Sequence, residues 1–154
     1  MAKEYRTIRN DVALPYRWSL GPVWTRFFDG LRDEKILGTK CNDCNKVSVP
    51  ARPFCPDCNS DKTEWVELGQ EGAVQTWTIV NNRYYGQVKE PPYIMALICL
   101  DGADCGFSHF IGGIDVSDVK ELRKHIDIGT RVRAVWSQDK NANIYDIKYF
   151  ETVR

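Results

Sequence analysis

Apolar side chains fall at Trp24, Phe27, Phe28 and Leu31, the i, i+3, i+4, i+7 spacing of one helical face, just after Ser19, Gly21 and Pro22. Proline suits the first turn of a helix, where its missing N–H costs nothing, so the pattern predicts a helix starting there. A dozen residues are marginal as an isolated helix, and this aromatic face must pack on something. Two partners fit: the chain's own core, or the surface of another subunit. Ahead of it, Tyr5, Tyr16 and Trp18 lie among Arg6, Arg9, Asp11 and Arg17 without a period, which predicts an irregular arm.

Further on, the pattern changes from helical spacing to alternation. The segment Glu64-Trp65-Val66-Glu67-Leu68 is strand-like, and Gly69 to Gly72 punctuates it. Ala73 to Val80 alternates as a strand, and Asn81 to Pro92 makes a long polar and aromatic loop. Tyr93 to Leu100 is almost continuously apolar, the mark of a strand buried on both faces. Gly106 to Ile114 is a further strand, with Gly112-Gly113 predicting a bulge or bend. Asp115 is placed to cap a short helix carrying Val116, Val119, Leu122 and Ile126. Arg131 to Ser137 and Ile144 to Phe150 alternate as the last strands, around a polar turn at Gln138 to Asn143. Five strands with a helix between the third and fourth is the element order of an OB-type Greek-key barrel.

Between helix and barrel, Cys41-Asn42-Asp43-Cys44 and Cys55-Pro56-Asp57-Cys58 supply two C-x-x-C pairs. Four thiolates at that spacing can close a tetrahedral shell around one ion. Asn45 and Asn59 follow the second cysteine of each pair, where such turns need a left-handed backbone that asparagine tolerates. Lys40, Lys46 and Arg52 are expected to offset the charge of the thiolates. A redox pair is disfavoured, because thioredoxin-like chemistry uses one C-x-x-C beside a βαβ unit. Ligands alone leave iron beside zinc; a closed shell with no open position points to structural zinc. The expected architecture is mainly β: an N-terminal arm and helix (1–35), a rubredoxin-like zinc ribbon (36–68) and a C-terminal five-stranded OB-fold barrel (69–154).

Charge narrows the partners. The 154 residues carry 21 basic and 21 acidic side chains. Residues 1–68 hold 11 bases against 10 acids and residues 69–154 hold 10 against 11, so neither half hides a basic face. Nucleic-acid affinity comes largely from cations neutralising phosphates, so a zinc-ribbon/OB nucleic-acid-binding module is the alternative and not the first choice. No apolar run of about 18 residues predicts a membrane span, and Met1 to Asn10 lacks the apolar core of a signal peptide. A cytoplasmic protein is expected.

Catalytic groups are scarce. His125 sits at a charged helix end, and Cys99 lies in an apolar run as a small hydrophobe. Cys105 and His109 are close in sequence, yet residues four apart on an extended strand are about 13 Å apart, and no orienting partner is evident. No catalytic residue is expected. The 81–93 loop is different: Arg83 or Lys89 can meet a phosphate, and Tyr84, Tyr85 or Tyr93 can stack on a base, unless the loop is simply solvated.

These motifs carry a resemblance. Phe27-Phe28-Asp29-Gly30-Leu31, Ile36-Leu37-Gly38-Thr39-Lys40 leading into the first cysteine pair, Pro50-Ala51-Arg52-Pro53-Phe54 before the second, and Tyr93 to Asp101 are similar to the zinc-ribbon/OB-fold acyl-CoA-associated proteins. The likeness runs from about Leu14 onward. Asn45 and Asn59 stand where that family often has glycine, and Pro50-Ala51 where it has a double proline. The resemblance implies a non-catalytic accessory subunit of a thiolase-superfamily enzyme, holding it through the helix and ribbon. It implies coenzyme A or acyl-CoA as ligand of the barrel, in aromatic, steroid or fatty acyl-CoA breakdown. CoA brings a purine and three phosphates, which one or two cations and an aromatic shelf of a neutral protein can hold.

Overall fold

The computed structural model describes residues 16–153. The expectations for Tyr5, Arg6, Arg9, Asp11 and the first ten residues lie outside the described residues.

Helix α1 (Gly21–Arg32) begins at the expected place, with proline in its first turn. Its aromatic face divides. Phe27 and Leu31 are fully buried, while Trp24 and Phe28 are half-buried at the edge of the core. Gly30 permits the close approach: a Cβ there would sit 2.8 Å from Leu37 Cδ1. The helix lies on a three-stranded antiparallel sheet of β1 (Ile36–Cys41), β2 (Val47–Ser48) and β3 (Thr63–Leu68), in the order β2-β1-β3. Ile36 pairs with Leu68 and Cys41 with Thr63, and the Arg26 guanidinium stacks 4.4 Å above the Trp65 ring.

The second body is a closed barrel of β4 (Glu71–Val80), β5 (Tyr93–Leu100), β6 (Gly106–Ile111), β7 (Arg131–Trp136) and β8 (Ile147–Thr152), ordered β4-β5-β6-β8-β7. β6 and β8 meet in parallel at Ile111 and Phe150, and helix α2 (Val119–His125) lies between β6 and β7 in sequence. This is the OB arrangement expected from the element order. Phe107, Phe150, Ile94, Ile98, Val132 and Ile147 fill the interior, joined by Leu122 of α2 and by Ile126 just beyond it.

Three local expectations change, and β4 carries a bulge the sequence did not announce. Between Val74 and Thr76 the register of β4 against β5 shifts at a bulge. The extra residue, Gln75, moves the inward positions to Val74, Trp77 and Ile79; uninterrupted alternation would have pointed Thr76 and Thr78 at the core. Asp118, not Asp115, caps α2: its carboxylate accepts from Lys120 N and Glu121 N, while Asp115 accepts from Ser117. Val116 therefore precedes the helix, and Val119 is left 48% exposed. β6 ends at Ile111, because a Cβ at Gly112 would lie 2.5 Å from the Tyr149 ring and Gly113 takes φ +77. The last strand is preceded by a 3-10 turn at Ile144–Asp146, whose buried Asp146 carboxylate accepts from Asn141 N at 2.8 Å.

The turn between β5 and β6 joins the two bodies. Asp104 N donates to Val47 O at 2.9 Å, and its carboxylate accepts from Val47 N at 2.8 Å. Cys105 Sγ donates to Val49 O and accepts from Val49 N, both at 3.2 Å. Asp101, in the same turn, takes a two-pronged ion pair from Arg131 at 2.6 and 2.7 Å, which holds its carboxyl below the usual range. Among the described residues, no helix is long and apolar enough to cross a membrane.

Candidate metal centre and ligand-facing surfaces

The four cysteines expected to hold a metal converge. Cys41 closes β1, Cys44 lies in the turn before β2, and Cys55 and Cys58 form the matching turn before β3. Their sulfurs all lie within 4.8 Å of one another, with Cys41–Cys58 at 3.6 Å and Cys44–Cys55 at 3.5 Å. A tetrahedral ion with Zn–S bonds of about 2.3 Å needs sulfurs about 3.8 Å apart, so the donor set fits zinc.

The backbone explains the convergence. Asn45 N donates to Cys41 O and Asn59 N to Cys55 O, and both asparagines take positive φ, 61 and 58. The two turns are also tied to each other: Lys46 pairs with Asp57 at 3.0 Å, and Ser60 Oγ donates to Asp43 at 2.6 Å. Lys40 pairs with Glu64 at 3.9 Å. The neighbouring lysines are therefore mainly bound to carboxylates; Lys46 also feels Cys44, a smaller contribution than Asp57. Arg52 contributes its backbone, bonded both ways to Thr39 Oγ1.

Without an ion the thiols of Cys41 and Cys44 are pushed in opposite directions. Backbone N–H groups of Cys44 and then Asp43 point at Cys41 and lower it to about 7, against some burial. Lys46 N–H favours the Cys44 thiolate too, but the surrounding sulfurs and burial together push it up to about 12. A dication removes that conflict, and its binding releases protons.

The residues expected at a CoA site divide into two levels. Arg83, Tyr84 and Tyr85 line an open depression of about 510 Å³ with Gly86 and Gln87. Arg83 is held by Glu90 at 3.2 Å. Tyr84 and Tyr85 are exposed. Lys89 and Tyr93 lie on the barrel side. Tyr93 is buried edge-on against Phe110, with Lys89 Nζ 5.2 Å from the Phe110 ring and 5.8 Å from its own, so it supports the loop rather than presenting a stacking face. Gln87 holds the levels together, accepting from Tyr84 N and donating to Tyr93 Oη at 3.0 Å.

Cys105 and His109 are committed to different neighbours. Cys105 binds the Val49 backbone; His109 Nε2 donates to Ile144 O at 3.1 Å from within an aromatic cluster of Phe107, Phe110 and Phe150. Burial, with a smaller push from Lys89, lowers its pKa, and Nδ1 is buried without a partner. Cys99 donates to Ala103 O at 3.4 Å.

One surface was not evident as a unit in the sequence. Trp24, Pro50, Arg52, Pro53 and Phe54 line a depression of about 360 Å³ where α1 meets the ribbon. Phe54 is 50% exposed, and Trp18, 63% exposed, packs edge-on against Trp24 at 6.0 Å. The signal was an apolar Pro-Ala-Arg-Pro-Phe run between two metal knuckles, where a solvated loop would be polar.

Comparison with known proteins agrees with this architecture. Residues 28–64 match the model of the ChsH2 rubredoxin-like zinc ribbon domain, and residues 65–137 that of the ChsH2 C-terminal OB-fold domain. Two curated relatives are described as DUF35 domain-containing scaffold proteins. The Pyrococcus furiosus protein is 35% identical over 50% of this chain and 57% of its own length. The Methanocaldococcus jannaschii protein is 34% identical over 43% and 48%. The chain thus spans about half the length of the curated relatives it matches. Among solved structures, a DUF35-family protein of unknown function from Sulfolobus solfataricus superposes with a TM-score of 0.59 at 26% identity, covering 86% of this chain and 84% of that one. An Ltp2-ChsH2(DUF35) aldolase chain shares the fold at 21% identity and TM-score 0.59, covering 82% and 90%. Ribbon and barrel follow one another as they do in those proteins, and the chain belongs to the ChsH2-type (DUF35) family of zinc-ribbon/OB-fold proteins.

Proposed function

We propose that this chain is a non-catalytic accessory subunit of a thiolase-type acyl-CoA enzyme complex, docking on the thiolase-fold subunit and contributing to CoA or acyl-CoA binding. The observation that carries the reading is the uncovered aromatic face at the α1–ribbon junction. Trp18, Trp24, Pro53 and Phe54 make a continuous apolar surface on rigid supports, a composition that marks a protein interface. Phe54 directly precedes the ligand Cys55, so the metal turn anchors one end of that face. Relatives described as scaffold proteins, and one described as part of an aldolase with a second component, are consistent with an assembly role. The 81–93 loop supplies the ligand contacts, with Tyr84 or Tyr85 stacking on the adenine and Lys89 or Arg83 meeting a phosphate. Arg83 must leave Glu90 to do so.

The test is co-elution. The zinc-loaded chain is mixed with a thiolase-fold enzyme from the same organism and passed over a sizing column with and without CoA. A stable complex is expected, weakened at least about a hundredfold by Phe54→Asp, which places a charge in a desolvated contact. Two separate peaks under all conditions would defeat the assembly reading. Tight, salt-sensitive binding to single-stranded nucleic acid without affinity for CoA would favour the nucleic-acid module instead.

A further inference from the structure

The barrel is closed unevenly. The ladder from β4 to β7 ends at Ala73 and Arg131, with last bonds from Val74 N to Thr130 O at 3.0 Å and from Gly129 N to Val74 O at 2.7 Å. The ladder from β4 to β5 continues to Val80 and Tyr93. Residues 76–80 therefore pair on one side only. Their sequence, Thr-Trp-Thr-Ile-Val, contains no proline, lysine or other charge, the devices by which proteins blunt an open strand edge.

The surface beside this edge carries apolar groups and both signs of charge. A depression of about 470 Å³ runs along it, bounded by Thr76, Thr78, Val119, Arg123, Asp127 and Ile128. Ile128 is 71% exposed and Val119 48%, an apolar pair next to the open strand. Arg123 and Asp127 both face this depression, and among the described residues neither forms an ion pair. The Asp127 carboxylate accepts from the N–H of Ile128 alone among the described residues.

We propose that this edge is a self-association surface, occupied by a second copy of the chain. A two-fold axis lays two 76–80 edges antiparallel, so that Arg123 of each copy meets Asp127 of the other while Ile128 and Val119 are covered. An isologous contact needs a surface that carries its own complement. Here the open strand, the apolar pair and both charges lie together. The proposal is independent of the enzyme partner and of CoA, which use the α1–ribbon face and the 81–93 loop.

Sedimentation of the zinc-loaded full chain, without partner or CoA, tests it. A monomer–dimer equilibrium is expected over an accessible concentration range. Arg123→Asp or Asp127→Arg alone creates two like-charge contacts and raises the dimer dissociation constant about a hundredfold. The two variants mixed one to one re-form a heterodimer, and both reversals in one chain restore the homodimer. Unchanged circular dichroism and zinc content establish that each variant is folded. A chain that stays monomeric at all concentrations, a dimer indifferent to either reversal, or a mixture that fails to recover would each overturn the proposal.

Discussion

The ribbon and the barrel are similar in being small β structures, yet different forces hold them. Within the barrel, Phe107, Phe150, Ile94, Ile98 and Val132 make a closed apolar interior plugged by Leu122 and Ile126. In the ribbon the buried apolar residues, Ile36, Val49, Ala51 and Leu68, join the cluster shared with α1 and the barrel, and the cysteine end has sulfur where the barrel has aromatic rings. Burial stabilises one body and ligation the other. The aromatic face proposed for docking stands on the part that depends on metal, and the loop proposed to meet the ligand on the part that does not.

Removing the ion should separate the two most strongly. Chelation, or Cys44→Ser, removes a contribution on the order of 10 kcal/mol to ordering the ribbon. Hydrogen exchange should rise across residues 41–62, with the protection of β5 and β6 retained. Equal loss in both bodies would show that they form one cooperative unit. The converse change is Phe150→Ala, which empties the centre of the barrel and should cost about 3–5 kcal/mol in denaturant unfolding while leaving zinc stoichiometry unchanged.

The smallest effect is a pH slope. His109 is buried neutral, with its folded pKa lowered chiefly by burial. The unfolded imidazole takes a proton below about pH 6.5, while the folded one resists it. This group's stability is complete above the unfolded pKa and is lost as pH falls below it, by at most about 1.4 kcal/mol per pH unit. Urea midpoints at pH 7.5 and 5.5 should differ more in the native chain than in His109→Phe. Equal differences would place the acid sensitivity elsewhere.

Much of this contrast was legible in sequence because each body depends on a short-range rule. The two C-x-x-C pairs specify their own turns, even to the positive φ of Asn45 and Asn59. The apolar run of Tyr93 to Leu100 is a strand as expected, although its Met95, Leu97 and Cys99 face is half-buried rather than buried. What escaped depends on partners distant in the chain. The bulge at Gln75 is set by the register of β5, and nothing local distinguishes Gln75 from its neighbours. Asp115 and Asp118 are equivalent caps by local chemistry; the choice falls to Asp118 because Leu122 and Ile126 must reach the barrel interior. The bonds of Asp104 to Val47 and of Cys105 to Val49 span 57 and 56 residues, and no periodicity encodes them. At the candidate CoA site composition identified the loop, but which tyrosine supports it and which is exposed was decided by the packing of Tyr93 on Phe110.

The central claim is that the metal-supported aromatic face seats the enzyme partner. Hydrogen exchange of the zinc-loaded chain, alone and in complex with a thiolase-fold subunit, tests it most directly. The account predicts new protection over residues 18–32 and 50–55. A stable complex in which those segments exchange as in the free chain, with protection confined to the barrel, would contradict it.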